Sequence, residues 1–201
     1  MNRILALTGI GVAGILLVAL VIFGMKTLGS DADVKPVEAL IKDAKLDEAR
    51  VSIDQIAEKK PGSNALGGIY FELASAYENK NETVKARDIY RIILKKYQNI
   101  KNISEAQDKL GRLNIAVIFS RAVTDKDTLY EVEPGDTLTN IAKKCGTTVD
   151  LIKIANSLKS DNIQARIKLK ISKAKYKILV DKSQNILTLL GDNDIVKVYR
   201  V

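Results

Sequence analysis

From Ile4 to Met25 the chain carries no charge, from there to Phe119 apolar residues recur mainly at helical spacing, and beyond Tyr130 short alternating runs enclose two brief helical stripes. The first pattern predicts a transmembrane helix, because about 20 residues rising about 1.5 Å each cross a hydrocarbon core of about 30 Å. Arg3 precedes the apolar run and Lys26 follows it, so the positive-inside rule together with the free amino terminus favours an inside N-terminus. A cleaved signal peptide is the alternative, although no clean small-x-small site follows Phe23. Gly9-Ile10-Gly11-Val12-Ala13-Gly14 spells a dinucleotide-type glycine pattern, but it lies inside the apolar run with no strand before it, and glycines are tolerated in membrane helices.

Residues 31–120 read as helices. Leu46-Asp47-Glu48-Ala49 leads to Ile53, Ile56 and Pro61, and Thr83-Val84-Lys85-Ala86 leads to Tyr90, Ile93 and Tyr97-Gln98. The two alanines, at 49 and 86, stand 37 positions apart. That is near the roughly 34-residue period of tetratricopeptide repeats, which Tyr70, Leu73, Ala74, Tyr77, Ala86, Tyr90 and Ile93 resemble in spacing. The resemblance implies paired α-hairpins with a concave surface for an envelope protein partner; a helical stalk is the other reading. Ser104 with Gln107 spells a capping box, and Ile103, Ala106, Leu110, Leu113 and Val117 predict a further helix that closes the array.

Residues 121–128 form a short polar linker, and a βααβ pattern follows. Tyr130 to Glu133 alternates apolar and polar before the Pro134-Gly135 turn. Asp136 or Thr137 caps a helix whose stripe is Leu138, Ile141, Ala142 and Cys145, and Gly146 suits a left-handed C-cap. Thr147-Thr148 caps a second helix with Val149, Ile152 and Ala155 inward, and Asn156 to Ile163 reads as a polar loop. Ile167, Leu169 and Ile171 alternate with Lys168 and Lys170, which predicts a strand with one buried face. Further on, Lys175 to Val180, Ile186 to Leu190 and Ile195 to Val201 read as a β-meander, with turns at Asp181 to Asn185 and Gly191 to Asp194. A sheet of three strands with no covering layer would expose an apolar face, so 175–201 is expected to be frayed or loosely packed.

The residues from Leu129 to Ile171 resemble the lysin motif (LysM), through Tyr130, Val132, Pro134 to Leu138, Ile141, Ala142, Gly146, Asn156, Leu158, Asp161, Ile163, Leu169 and Ile171. That resemblance implies binding of peptidoglycan or another N-acetylglucosamine polymer in a groove between two loops. Carried onto this chain, the groove residues are Gly135, Asp136, Thr137 and Leu138 from the first loop, and Leu158, Lys159, Ser160, Asp161, Asn162 and Ile163 from the second. Arg166-Ile167 stands where the family usually has Gly-Gln, and Ser172 where it usually has Pro. If that glycine holds a positive φ, Arg166 meets a steric cost of roughly 1–2 kcal/mol or the turn reshapes. The strands from 174 to 201 resemble the opening of an L,D-transpeptidase catalytic domain, whose His and Ser-x-Gly-Cys have no counterpart here.

With 201 residues, 46% hydrophobic and 28% charged, the composition is that of a multi-domain globular chain and excludes general disorder. The net charge of +8 comes without a stacking platform or a nucleic-acid motif, so no nucleic-acid partner is expected. Lys168, Lys170, Lys173, Lys175 and Lys177 recur near the C-terminus and read first as the wet face of strands. The chain has no His, and Cys145 is its single cysteine, so His-dependent triads, Cys-His pairs, zinc clusters and internal disulfides are excluded. Cys145 reads as a buried thiol, and no cofactor motif accompanies it.

These readings give a multi-domain α+β chain: a membrane anchor or signal segment at 1–30, tetratricopeptide-like α-hairpins at 31–120, a linker at 121–128, a LysM module at 129–173 and an incomplete β-meander at 174–201. The expected function is that of an exported, membrane-anchored, non-catalytic glycan-binding protein on the extracytoplasmic side of a bacterial membrane. The alternatives are an N-terminal fragment of a cell-wall L,D-transpeptidase and an envelope scaffold.

Overall fold

The computed structural model describes residues 34–61 and 63–200. The expected membrane segment at 4–25 lies outside them, and among the described residues no helix is long and apolar enough to cross a membrane. Contacts divide the chain into one compact unit ending at Ile103 and another running from Ser104 onward.

The first unit holds helices α1 (Lys35–Lys42), α2 (Leu46–Lys59), α3 (Asn64–Asn79) and α4 (Thr83–Lys96). Pro36 sits in the first turn of α1, where a missing N–H costs nothing. Of the stripes foreseen from periodicity, Ala49 and Ile53 on α2, Leu73, Ala74 and Tyr77 on α3, and Ala86, Tyr90 and Ile93 on α4 are buried, Ile56 is half-buried, and Ile89 joins the α4 stripe. Three buried tyrosine rings carry their hydroxyls to carboxylates, Tyr70 to Asp54 at 2.5 Å, Tyr77 to Asp47 at 2.7 Å and Tyr90 to Glu78 at 2.8 Å. Burial first, and then the neighbouring carboxylates, push Tyr70 and Tyr77 well above the usual phenol range. Gly67 is required by packing, since a Cβ there would meet Ile100 Cγ2 at 2.5 Å and Tyr97 Cβ at 2.8 Å.

The second unit contains α5 (Ile103–Ile118), β1 (Asp127–Glu131), α6 (Leu138–Cys145), α7 (Val149–Asn156), β2 (Lys168–Ser172), β3 (Tyr176–Asp181), β4 (Ile186–Gly191) and β5 (Asp194–Arg200), α5 beginning one residue before the unit does. Ser104 lies inside the first turn of α5, so the capping box expected from Ser104 and Gln107 does not sit at the helix start. Strand β1 pairs antiparallel with β2, from Asp127 opposite Ser172 to Glu131 opposite Lys168. It therefore opens three residues before Tyr130, inside the expected linker. That segment is also tied down: Arg121 Nε donates to Asn156 O at 3.0 Å, and Asp127 Oδ2 accepts from Thr124 N at 2.9 Å.

The lysine row needs a correction. Lys168, Lys173, Lys175 and Lys177 are exposed, but Lys170 is 2% exposed. Its Nζ donates to Val117 O at 2.7 Å and Ser120 O at 2.9 Å, and stands 3.6 Å from Asp127 Oδ2. The cation thus serves the carboxyl end of α5, where unpaired carbonyls and the helix dipole favour positive charge. As a result β2 is buried on both sides from Leu169 onward.

The terminal meander forms a sheet in the order β3-β4-β5, with every residue from Tyr176 to Asp181 paired to β4 and a register shift between Leu189 and Leu190 in the β4-β5 pair. It is therefore not frayed. The β4-β5 connection is a two-residue turn, Asp192-Asn193, with both residues at positive φ. The apolar exposure foreseen for it is present: Ile178, Leu179, Val180 and Ile195 are 66%, 60%, 57% and 58% exposed.

Candidate functional site

The core beneath the candidate groove is Val132, Leu138, Ile141, Ala142, Ile152, Leu169 and Ile171, with Tyr130, Cys145, Val149, Leu158, Ile163 and Ile167 packed partly against it. Thr137, not Asp136, caps α6 by accepting from Asn140 N at 3.2 Å. Thr148 caps α7 in the same way, through Leu151 N at 3.1 Å, and Gly146 takes the left-handed position at φ 66. Both loops of the candidate groove thus rise from one small core, each at a capped helix end.

In the first loop Asp136 is committed to the turn itself. Its Oδ2 accepts from Glu133 N at 2.9 Å and from Tyr130 Oη at 2.8 Å. These bonds, the backbone one foremost, hold its carboxyl below the usual carboxylate range. Because the folded value is depressed, the turn gains from the carboxylate above the unfolded value and loses that gain as pH falls through the folded one. Lys144 Nζ donates to Tyr130 Oη at 3.2 Å and lies 5.0 Å from the ring centroid, and that hydrogen bond raises the ammonium. Sequence reading did not connect Tyr130, Asp136 and Lys144. The aromatic residue before the Pro-Gly turn was the available signal.

The second loop starts at Ser157, which takes a left-handed C-cap at φ 55, and Leu158 N donates to Lys153 O at 2.9 Å. Lys153 Nζ donates to Asp161 at 2.5 Å, joining the loop to α7. Asn156, expected to open the loop, is the last residue of α7 and is buried. Its Nδ2 donates to Ile152 O and Lys170 O, both at 2.8 Å, and its Oδ1 accepts from Lys170 N at 2.7 Å.

Arg166 decides whether the turn before β2 keeps its shape. It holds φ 72, its N–H donates to Val132 O at 2.7 Å, and Val132 N donates to Ile167 O at 2.9 Å. The ladder therefore holds a residue with a Cβ at positive φ against its steric preference. Residues 130–172 match the LysM domain family. The chain contains a LysM domain. No curated protein and no solved structure matches the chain.

Within the LysM domain, Gly135, Thr137, Lys159, Ser160, Asp161 and Asn162 are exposed, Asp136, Leu158 and Ile163 are half-buried, and Leu138 is buried. Leu138, expected among the groove residues, is instead a core residue at 2% exposure. Leu158 and Ile163 keep part of their surface open. Gly135 sits at φ 89 with open space where a Cβ would stand, so its backbone conformation, not crowding, requires glycine. A helix start leaves its first amides without intrahelical acceptors, which on α6 are those of Leu138 and Thr139. This combination of donors, a carboxylate and half-open aliphatic surface suits an uncharged polyhydroxylated ligand. Among the described residues no group of His, Cys, Asp and Glu could hold a metal ion.

Relief of strain at Arg166 is directly measurable. Arg166→Gly is expected to raise stability by about 1 kcal/mol, since the left-handed conformation costs a non-glycine residue roughly 1–2 kcal/mol and glycine returns part of that in unfolded-state entropy. Thermal unfolding followed by circular dichroism would show the melting temperature rising, while an unchanged or lower value would mean that Arg166 side-chain packing outweighs the backbone term.

Proposed function

We propose that this chain binds peptidoglycan or another N-acetylglucosamine polymer through its LysM domain, with the ligand lying across 135–138 and 158–163 as a non-catalytic contact. The supporting observation is the LysM match at 130–172, in a domain whose Pro-Gly turn and Arg166 turn both keep their positive-φ geometry. Gly135, Thr137 and the first amides of α6 would meet the acetamido and hydroxyl groups. Asp136 presents its second oxygen to a hydroxyl, and Leu158 and Ile163 would pack against the sugar face.

The apolar segment at 4–25 would tether the domain to a membrane, and the helical unit would serve as a tetratricopeptide-like spacer or as the seat of an envelope partner. Export to the extracytoplasmic side of a bacterial membrane belongs to the same proposal. Tethering raises the effective concentration of a weak binding module near its polymer. The antiparallel order β3-β4-β5 supports a second reading, in which 174–201 opens an L,D-transpeptidase-like domain; it brings no catalytic residue with it.

The test is co-sedimentation of the full chain, in mild detergent, with purified peptidoglycan sacculi. Asp161→Ala combined with Asn162→Ala, both exposed and outside the core, is expected to weaken retention about tenfold, equivalent to about 1.4 kcal/mol, with an unchanged melting temperature. Retention of the wild-type chain no greater than that of a control protein would refute the glycan reading.

A further inference from the structure

Strand β3 is an edge. In the sheet order β3-β4-β5 it pairs, among the described residues, only with β4, and its central residues Ile178, Leu179 and Val180 are each more than half exposed. Exposed, unpaired edges of this kind template pairing with another strand, and soluble proteins usually blunt them with charge, proline or a bulge. The β3 edge carries none of these among its three central residues.

The direction of its free hydrogen-bonding groups is fixed. Asp192 N donates to Lys175 O, and the β3-β4 register sets Lys177 opposite Leu190, Leu179 opposite Thr188 and Asp181 opposite Ile186. Antiparallel ladders alternate, so the backbone groups of 175, 177, 179 and 181 face β4 and those of Tyr176, Ile178 and Val180 face outward. A second copy running antiparallel about a two-fold axis at Leu179 would set Ile178 opposite the partner's Val180 as a hydrogen-bonded pair. Leu179 would face its own counterpart, and Lys177 would face the partner's Asp181, twice, in the closer non-bonded positions. A slip of two residues either way sets Leu179 opposite Lys177 or Asp181. One register therefore satisfies the backbone, the apolar side chains and the charges together.

We propose that the chain associates with a second copy of itself through β3, forming a continuous antiparallel sheet across a two-fold axis centred on Leu179. Charge complementarity selects this occupant: the apolar triplet is bracketed by a cation and an anion at equal distance from its centre, which is the pattern a self-complementary interface needs. Lys177 has a long contact of 3.5 Å to Asn193 Oδ1, easily exchanged. Asp181 accepts from Ser183 and Gln184 through Oδ1 alone, which leaves Oδ2 for the partner's lysine. Two LysM domains would then sit in one assembly, and their linkage would multiply weak contacts with a polymer. The inference stands whether or not that polymer is the glycan proposed above.

The experiment uses the full chain in mild detergent, with Cys145→Ala removing the native thiol. Leu179→Cys places a thiol at the two-fold axis, where opposed Cα atoms about 4.5 Å apart fall within disulfide range. Ile195→Cys is the control, of similar exposure but on β5. Under mild oxidation the covalent dimer is expected to form about tenfold faster from Leu179→Cys than from Ile195→Cys, because pre-association raises the local thiol concentration. Sedimentation equilibrium of the otherwise native chain should show a monomer-dimer equilibrium, and Lys177→Glu should raise its dissociation constant about tenfold by setting like charges opposite each other. Equal crosslinking rates at the two positions, or a chain that stays monomeric to about 100 µM, would overturn the proposal. So would a monomer whose introduced thiol at 179 resists alkylation, since another part of the same chain would then cover the strand.

Discussion

Lys170→Ala is expected to destabilise the second unit by about 3–5 kcal/mol, the usual cost of removing one partner from a buried ion pair. The arrangement explains so large an effect. Lys170 is 2% exposed, and the Asp127 side chain opposite it is 6% exposed. Removing the ammonium leaves Asp127 without its counter-charge and takes a donor from the carbonyls of Val117 and Ser120. Asp127 keeps its bonds from Thr124 N and Oγ1, so it is not wholly orphaned, which argues for the lower half of the range.

Lys170→Met separates the terms. It keeps most of the apolar stem and avoids the cavity, so it should cost less than Lys170→Ala by about 1–2 kcal/mol. Adding Asp127→Asn to Lys170→Met should then recover part of the loss, because the uncompensated charge disappears. Urea unfolding of the single and double variants gives the coupling, and hydrogen exchange at the last turn of α5 shows where protection is lost. A cost below about 1 kcal/mol for Lys170→Ala would mean that water satisfies the α5 carbonyls and that the ion pair contributes no more than a surface one.

Lys170 also marks the limit of what the sequence discloses. The βααβ order was legible because its signals are local: the stripe from Leu138 through Ile141 and Ala142, the caps at Thr137 and Thr148, and glycine at the left-handed position 146. Each is fixed by residues within a few positions of one another. A lysine alternating with apolar neighbours has the same local pattern whether its outward face meets water or the end of another helix. Which of these holds depends on α5, more than 50 positions away.

The same reasoning explains α5. Its stripe of Ala106, Leu110, Leu113 and Val117 states that one face is buried, and says nothing about what lies against it. Its carboxyl end is bonded to Lys170 of β2, a partner that no local pattern names. Leu138 shows the limit at the site itself. A leucine at a helix start can face the groove or the core, and it is the i, i+3 relation to Ile141 that places it inward. Arg166 shows the opposite case, where the identity of the residue argued against a conformation that two flanking hydrogen bonds to Val132 nevertheless enforce.

Asn156→Ala is the second large effect, expected at about 3–4 kcal/mol. The side-chain amide forms a closed bracket on the Lys170 peptide, donating to its carbonyl and accepting from its N–H, while the same Nδ2 also donates to Ile152 O. It thus supplies what a third strand would supply along that side of β2. Truncation removes all of these bonds at a residue 3% exposed, and each buried group left without a partner costs about 1–3 kcal/mol. Asn156→Asp should be as damaging, since a carboxylate can still accept from Lys170 N but would face two carbonyl oxygens. For a unit of this size each kcal/mol lowers the melting temperature by about 4–8 °C, so a fall of roughly 12–30 °C is expected by differential scanning calorimetry. A second readout separates this role from general destabilisation. The second groove loop begins at Ser157, the next residue, so at a temperature where Asn156→Ala is still folded its sacculus retention should already be reduced. Ile171→Val, a core truncation in β2 that destabilises the domain and leaves Asn156 intact, should retain binding under matched stability. If Asn156→Ala instead binds like wild type while folded, the bracket holds β2 alone and the 158–163 loop is positioned by the packing of Leu158 and Ile163 on the core.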